Sequence, residues 1–450
     1  MSLKFFAQSR TYWPQIPPSV PTGKSKGSFL MWYQAFVLII ASCAIYSNLP
    51  IYGYVLNPSL LPKFIFFGIF FLITPLLLIN HRFLNAYLTS PFVLWATVFL
   101  AINLIHLLGF STGDNVGGSF FVDNQMVARH SLILTRAQYI LFTIVLGFAF
   151  YTSTRRAHLY IFVFLAALLP CTVILDFSQP GLLYPIDTSG AVLGRAAAMF
   201  INPTMAGEAM LNVFLIGCTV IKLKYRAPIF ILLGAAILMT FSRSSIIAWV
   251  LLWPILIFKK ILPKFALIFI AITIGISLVL LGSFENYLHA REEFDGALGN
   301  ILSRLDFFSN FKLNDDSSEE RADVIRAGWN LFLQNPIFGA GAGATRFWSH
   351  RGSTHNQLLL LAAEYGILGI ALWIWLLGIL WQGKFFENRG LQFAMVFLFA
   401  FMSMFTHQMF DSASYWLATF ALVSVGRNSG YVVSPRAITR DYIDQEKTVK

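Results

Sequence analysis

Two neighbouring stretches decide how this chain folds: Arg321–Gly343, reading RADVIRAGWNLFLQNPIFGAGAG, and Ser353–Gly366, reading STHNQLLLLAAEYG. The first has helical spacing as far as Leu333 and stops at Asn335-Pro336, since proline lacks an N–H and disfavours a helical residue before it. The second passes from a polar Ser-Thr-His-Asn run straight into apolar helix. Together they close a charged segment that opens at Ser283 and has apolar runs on both sides. A water-facing loop that re-enters a hydrophobic layer at a His-Asn pair sets one imidazole at a water–lipid boundary.

The rest of the chain supplies that layer. Hydrophobic residues make up 57% and charged residues 12%, with a mean hydropathy of +0.68. Repeated apolar runs of about 17–25 residues match the helix length that crosses roughly 30 Å of hydrocarbon. Spans are expected near 29–47, 64–80, 91–110, 132–151, 158–176, 206–222, 227–241, 244–258, 264–282, 362–381, 391–407 and 412–425. The fold class is therefore an all-α polytopic membrane protein of about twelve transmembrane helices with one long helical loop. Its segments are an N-terminal arm (1–28) carrying Pro14, Pro17, Pro18 and Pro21, the first nine spans with short loops (29–282), the long loop capping a catalytic site (283–356), a re-entry helix with the last three spans (357–425), and a tail (426–450).

Charge orients the chain. With the N-terminus in the cytoplasm, the inner segments hold Lys24, Lys26, Arg82, Arg155, Arg156, Lys222, Lys224, Arg226, Lys259, Lys260 and the basic tail, with few acids among them. The positive-inside rule then absorbs the whole net charge of +11, and no nucleic-acid partner is needed. Both termini fall inside and the long loop outside. Cys43, Cys171 and Cys218 all sit in apolar spans, which leaves neither a disulfide framework nor a zinc site.

Ionisable groups in spans are expensive, so their positions carry information. Arg136 lies about one turn inside the fourth span, Arg195 in the outer loop 177–205, Glu208 at the start of the next span, and Arg243 in the tight outer turn Thr240–Ser245 (TFSRSS); His407 and Asp411 flank the last outer turn. All gather at one depth. An ion-coupled transporter usually places such groups near the midplane, often in paired halves, and a channel needs a polar stripe along a helix; the absence of an obvious half-repeat, a midplane carboxylate or such a stripe favours chemistry at one surface, with a membrane transporter as the alternative from another class. Plainer roles exist for each residue. Arg136 and Arg243 could snorkel as anchors, His355 could be a satisfied loop histidine, and Glu364 could mark the helix break at EYGILG. Gly339-Ala-Gly-Ala-Gly lacks the Lys-Ser/Thr of a phosphate loop. Glu293-Phe294-Asp295 is an acidic triplet in a solvated run, and Trp329, Phe347 and Trp348 could stack on sugars or pack a core.

At these residues the sequence resembles the O-antigen ligase and polymerase superfamily of bacterial envelope glycosyltransferases. The resemblance rests on Gly194–Ala209 (GRAAAMFINPTMAGEA), on TFSRSS, and on the stretch from Arg321 through NPIFGAG to STHNQLLLLAAEYGILG. Asn202-Pro203-Thr204 departs from the family's Asn-Pro-Asn. The resemblance implies a GT-C-like enzyme of the bacterial inner membrane with its active site in the periplasm. It would move a glycan from undecaprenyl diphosphate to an acceptor hydroxyl, inverting the sugar, without a metal or other cofactor. His355 would be the catalytic base. Arg195, Arg243 and Arg136 would bind the diphosphate, since guanidinium is a fixed bidentate phosphate donor. Asn356, Arg321, Glu364 and Asp411 are secondary candidates. The acceptor is a lipid A–core sugar for a ligase, the growing glycan for a polymerase and a Ser or Thr hydroxyl for a protein oligosaccharyltransferase. The partners implied are the polyprenyl-linked donor, that acceptor and membrane lipid.

Overall fold

The structure is a computed structural model that describes residues 26–108, 121–122, 125–126, 129–153, 155–185, 188, 194–266, 316–346, 348, 354–383, 385–386, 388–406, 409–410 and 414–425. Among the described residues the regular secondary structure is helical apart from one two-residue antiparallel ladder, Phe121–Val122 with Gln125–Met126. The helices are α1 (Lys26–Tyr46), α2 (Leu49–Leu56), α3 (Pro62–Ile79), α4 (Leu84–Leu88), α5 (Pro91–Leu107), α6 (Arg129–Thr152), α7 (Arg155–Ser178), α8 (Pro203–Gly217), α9 (Leu223–Met239), α10 (Arg243–Phe258), α11 (Asp316–Gln334), α12 (Gln357–Gln382), α13 (Arg389–Met402) and α14 (Tyr415–Val425).

A helix falls on every expected span except the one near 264–282, which lies outside the described residues from position 267 on. Fewer of them have full spanning length. Among the described residues, α3, α6, α7 and α12 are long and apolar enough to cross a membrane, and the bent pairs α1–α2 and α4–α5 raise the number to six at most. Helices such as α10, α13 and α14 are shorter, and at about 1.5 Å rise per residue they fall below the roughly 30 Å of hydrocarbon. The long loop contributes α11, which begins at Asp316, earlier than Arg321, and ends where Asn335-Pro336 predicts.

Helix starts follow local chemistry. Proline opens α3, α5 and α8 at the first helical position, where its missing N–H costs nothing. Asn202 caps α8 by accepting from the Thr204 N–H at 2.9 Å, and Asn356 caps α12 by accepting from the Leu359 N–H at 2.9 Å. The innermost helices are α8 and α14, nearly all of whose residues are buried, whereas α3 turns Phe64, Phe67, Phe71 and Leu78 outward. That outward apolar face suits lipid.

The EYG sequence breaks α12, as expected, but the break has a partner. Gly366 adopts φ 63°, ψ −144° inside the helix. The carbonyls of Ala363 and Glu364 leave the helical ladder there and accept the N–H groups of Ala340 (2.8 Å) and Gly341 (3.0 Å). Ile367, deprived of the Ala363 carbonyl, donates to the Pro336 carbonyl at 2.8 Å. The Gly339–Gly343 loop thus spends its amides inside the protein, one more of them, from Ala342, on His106 Nδ1 at 2.9 Å. Gly339 has φ 75° and lies so close to α12 that a Cβ there would meet the Glu364 carbonyl carbon at 2.3 Å.

Below this junction sits a buried ion pair. Arg136 Nη1 donates to Glu364 Oε2 and to the Tyr365 hydroxyl, both at 2.7 Å, while Glu364 Oε1 accepts from the Thr345 hydroxyl at 2.8 Å. The Tyr365 hydroxyl in turn donates to Asn103 Oδ1 at 2.9 Å. Arg136 lies about two turns into α6, deeper than its sequence position suggested. Removing one partner strands a buried charge, which costs about 3–5 kcal/mol, whereas replacing both with apolar residues of similar volume is far milder. Arg136→Met and Glu364→Leu singly should each lower the melting temperature of the purified protein sharply, and the double variant should recover much of the loss. A double variant that melts lower than both singles would show that the pair is not the linchpin.

Candidate functional site

Two of the sequence blocks dock on one another. The segment from Gly194 ends the connection that follows α7 and runs into α8, and it lies against the turn between α9 and α10. The Ala196 N–H donates to the Met239 carbonyl at 3.2 Å, and Arg195 Nε donates to the Thr240 carbonyl at 3.0 Å. Arg195, itself buried, is therefore anchored on the same turn that carries Arg243, the first residue of α10. A hydroxyl cluster closes the seam: Ser242 Oγ lies 3.1 Å from Thr204 Oγ1 and 3.0 Å from Ser245 Oγ. Gly207 permits this approach, for a Cβ there would sit 2.5 Å from the Ser245 side chain. The threonine that departs from Asn-Pro-Asn thus has a partner of its own in Ser242.

One residue that the sequence reading passed over holds the arginine segment in shape. Asp176, buried near the end of α7, accepts through Oδ2 from the Ala197 and Ala198 N–H groups at 2.8 Å each and from the Tyr184 hydroxyl at 3.1 Å. Ala198 and Ile201 there adopt φ 49° and 63°, a region that L residues with a Cβ rarely enter. A carboxylate accepting two successive amides offsets that strain. The available signal was an acid at the end of an apolar run.

The third block meets the other two through the turn 403–416. The Gln357 N–H donates to the Ser403 carbonyl at 2.7 Å, and Gln357 Oε1 accepts from the Met409 N–H at 3.1 Å. From the other side Glu208 of α8, fully buried, accepts from the Thr406 hydroxyl (3.1 Å), the Tyr415 hydroxyl (2.9 Å) and Trp416 Nε1 (2.6 Å). The same turn therefore braces both α8, which carries the seam with the Arg243 turn, and the start of α12, where His355 stands. Its own candidates, His407 and Asp411, lie outside the described residues, as do Glu293 and Asp295.

His355 is half-buried and adopts φ 48°, between a buried Thr354 and the capping Asn356. Burial, reinforced by the positive charge of Arg321, pushes its imidazole down to about 4. The ring is thus neutral at neutral pH and able to accept a proton. Arg321 reaches it from α11, which approaches closely because Gly328 has no side chain: a Cβ there would meet Thr354 Cγ2 at 2.8 Å. Asn356 Oδ1 is occupied by its cap, and Arg136 and Glu364 engage one another. Among the described residues no group of three or more His, Cys, Asp or Glu side chains could hold a metal ion.

Residues 228–374 match the family model described as O-Antigen ligase. The match takes in Arg243, Arg321, His355, Asn356 and Glu364, while Arg136 and Arg195 precede it. No match is found among curated proteins. The TFSRSS turn, the glycine loop and the His-Asn start of α12 all lie inside the matched residues, so this part of the chain is similar to the O-antigen ligase family, in support of the resemblance to the O-antigen ligase and polymerase superfamily.

Proposed function

We propose that this protein is an O-antigen ligase-type glycosyltransferase of the bacterial inner membrane that moves a glycan from undecaprenyl diphosphate to a lipid A–core sugar hydroxyl on the periplasmic side. The family match supports the general class. The observation that carries the finer reading is the anchoring of Arg195 on the turn of Arg243, which brings two guanidinium-bearing residues onto one structural unit at the start of α10.

In the reaction the acceptor hydroxyl attacks the anomeric carbon, the carbon–oxygen bond to the diphosphate breaks, and the bonding pair leaves on the phosphate oxygen. Arg195 and Arg243 neutralise that charge, in a site of low dielectric where fixed donors count for more than in water. His355 takes the hydroxyl proton. Direct displacement inverts the anomeric centre. Arg136 and Glu364 act behind the site, holding α6 against α12.

The arginines are tested first. Arg195→Ala and Arg243→Ala should each lower transfer from a purified undecaprenyl-diphosphate-linked glycan by about 10²–10³-fold, the usual loss on removing one preorganised donor. Arg243→Lys should recover little, because it keeps the charge but loses the planar fork. Near-normal transfer by both alanine variants would rule out the clamp. In cells, a deletion strain that accumulates free polyprenyl-linked polymer fits a ligase, and one that caps core with a single repeat identifies a polymerase instead.

His355→Ala should leave donor binding intact and reduce turnover by about 10²–10⁴-fold. The pH dependence has a definite sign. Because the imidazole is held down at about 4, the base stays neutral, and kcat/KM should remain flat through the range near 6.5 where a free imidazole titrates, falling only towards the lower value. Arg321→Ala removes a neighbouring positive charge, so it should shift that acid limb upward. A limb that stays put in Arg321→Ala, or full activity in His355→Ala, would take His355 out of the mechanism.

A further inference from the structure

Helix α11 has one face more than a water-bathed cap needs. At about 100° per residue, Val324, Gly328 and Leu331 fall on one side. That side packs against the glycine loop, Trp348 and the start of α12. Asp323, Arg326 and Asn330 form a polar side open to solvent. Between them runs a second apolar stripe, Ile325, Trp329 and Leu333, which is 41%, 52% and 56% exposed. The stripe continues past the helix end through Ile337 and Phe338, at 61% and 64%.

Its continuation identifies what covers it. The Ile367 N–H donates to the Pro336 carbonyl, so the end of the stripe abuts the outward face of α12, where Ile367 is 56% exposed and begins an apolar flank that includes Ile374 and Trp381. α12 is among the helices long and apolar enough to cross a membrane, and that flank is the kind of surface such a helix turns to lipid. An apolar surface running from a spanning helix onto a lateral one, with a tryptophan along its length and a charged side flanking it, is the pattern of a helix lying in the bilayer interface.

We propose that α11 is an interfacial helix whose Ile325–Trp329–Leu333 stripe sits among the phospholipid acyl chains of the leaflet on the His355 side. Trp329 then serves as a membrane anchor, in place of either stacking on sugars or packing a core. Where the proposed glycosyl transfer holds, the anchoring has a further consequence: it keeps Arg321, and with it the electrostatic setting of His355, at the level of lipid headgroups, where a lipid-borne diphosphate lies.

Depth measurement tests this without any turnover, so it is judged separately from the transfer assay. In a background with Cys43, Cys171 and Cys218 changed to alanine, Trp329→Cys, Leu333→Cys and Asp323→Cys would each carry a nitroxide. The protein would be reconstituted in vesicles of phosphatidylethanolamine and phosphatidylglycerol that contain no polyprenyl lipid. The labels at 329 and 333 should be relaxed by oxygen and shielded from a water-soluble nickel chelate, with the reverse at 323. Equal access of the chelate to all three would place the stripe in water and overturn the proposal. Shielding of 329 and 333 from both reagents would mean a protein cover, from another part of this chain or a second copy, and would overturn it too. If Trp329→Cys fails to insert, the Leu333→Cys and Asp323→Cys pair decides alone.

Discussion

The ion pair between Arg136 and Glu364 is the constraint on which the rest of the arrangement depends. Neither charge could stand alone in so apolar a setting, since a lone buried ion carries a penalty of several kcal/mol. The surrounding contacts hold both ends: Thr345 fixes the second oxygen of Glu364, and Tyr365 ties Arg136 to Asn103. Tyr365 also stacks on His106, with ring centroids 5.2 Å apart, and His106 receives an amide of the glycine loop. Helices α5, α6 and α12 and the loop are thereby registered around one pair. α11 follows, because it packs on that loop, and His355 follows because it stands at the head of α12.

A second set of buried polar contacts joins that unit to the arginine turn. Glu208 bonds Thr406 and Gln357 bonds Met409, both between α13 and α14, and Thr204 ties the start of α8 to the serines around Arg243. Polar bonds of this kind are strong and directional in an apolar interior, and a missing partner there is expensive. The Arg195 segment, the Arg243 turn and the start of α12 are far apart in sequence and are linked through hydrogen bonds to shared neighbours.

The electrostatic character of the site follows from the same packing. Burial takes water from His355 and the positive charge of Arg321 on α11 adds to the effect, so the imidazole is kept neutral over a wide pH range. A base held this way is weak until charge appears nearby. In the proposed reaction the negative diphosphate supplies that charge, and proton transfer to His355 becomes easier as the leaving group departs.

Much of the local architecture was legible in the residues themselves. Apolar runs marked the helices, His-Asn marked where α12 begins, Asn335-Pro336 marked the end of α11, and EYG marked the break in α12. These signals are local: a cap, a missing N–H or a glycine acts within one turn. Only the tertiary structure decided that Arg136 belongs to Glu364, that the glycine loop feeds the carbonyls freed by the break, that Asp176 shapes the Arg195 segment, and that Glu208 braces the turn 403–416. In a soluble helix the apolar stripe says which side faces the core. In a membrane the lipid-facing and inward-facing sides are both apolar, so periodicity names no partner. The pairing of distant polar residues is then set by packing alone, and sequence spacing carries no trace of it.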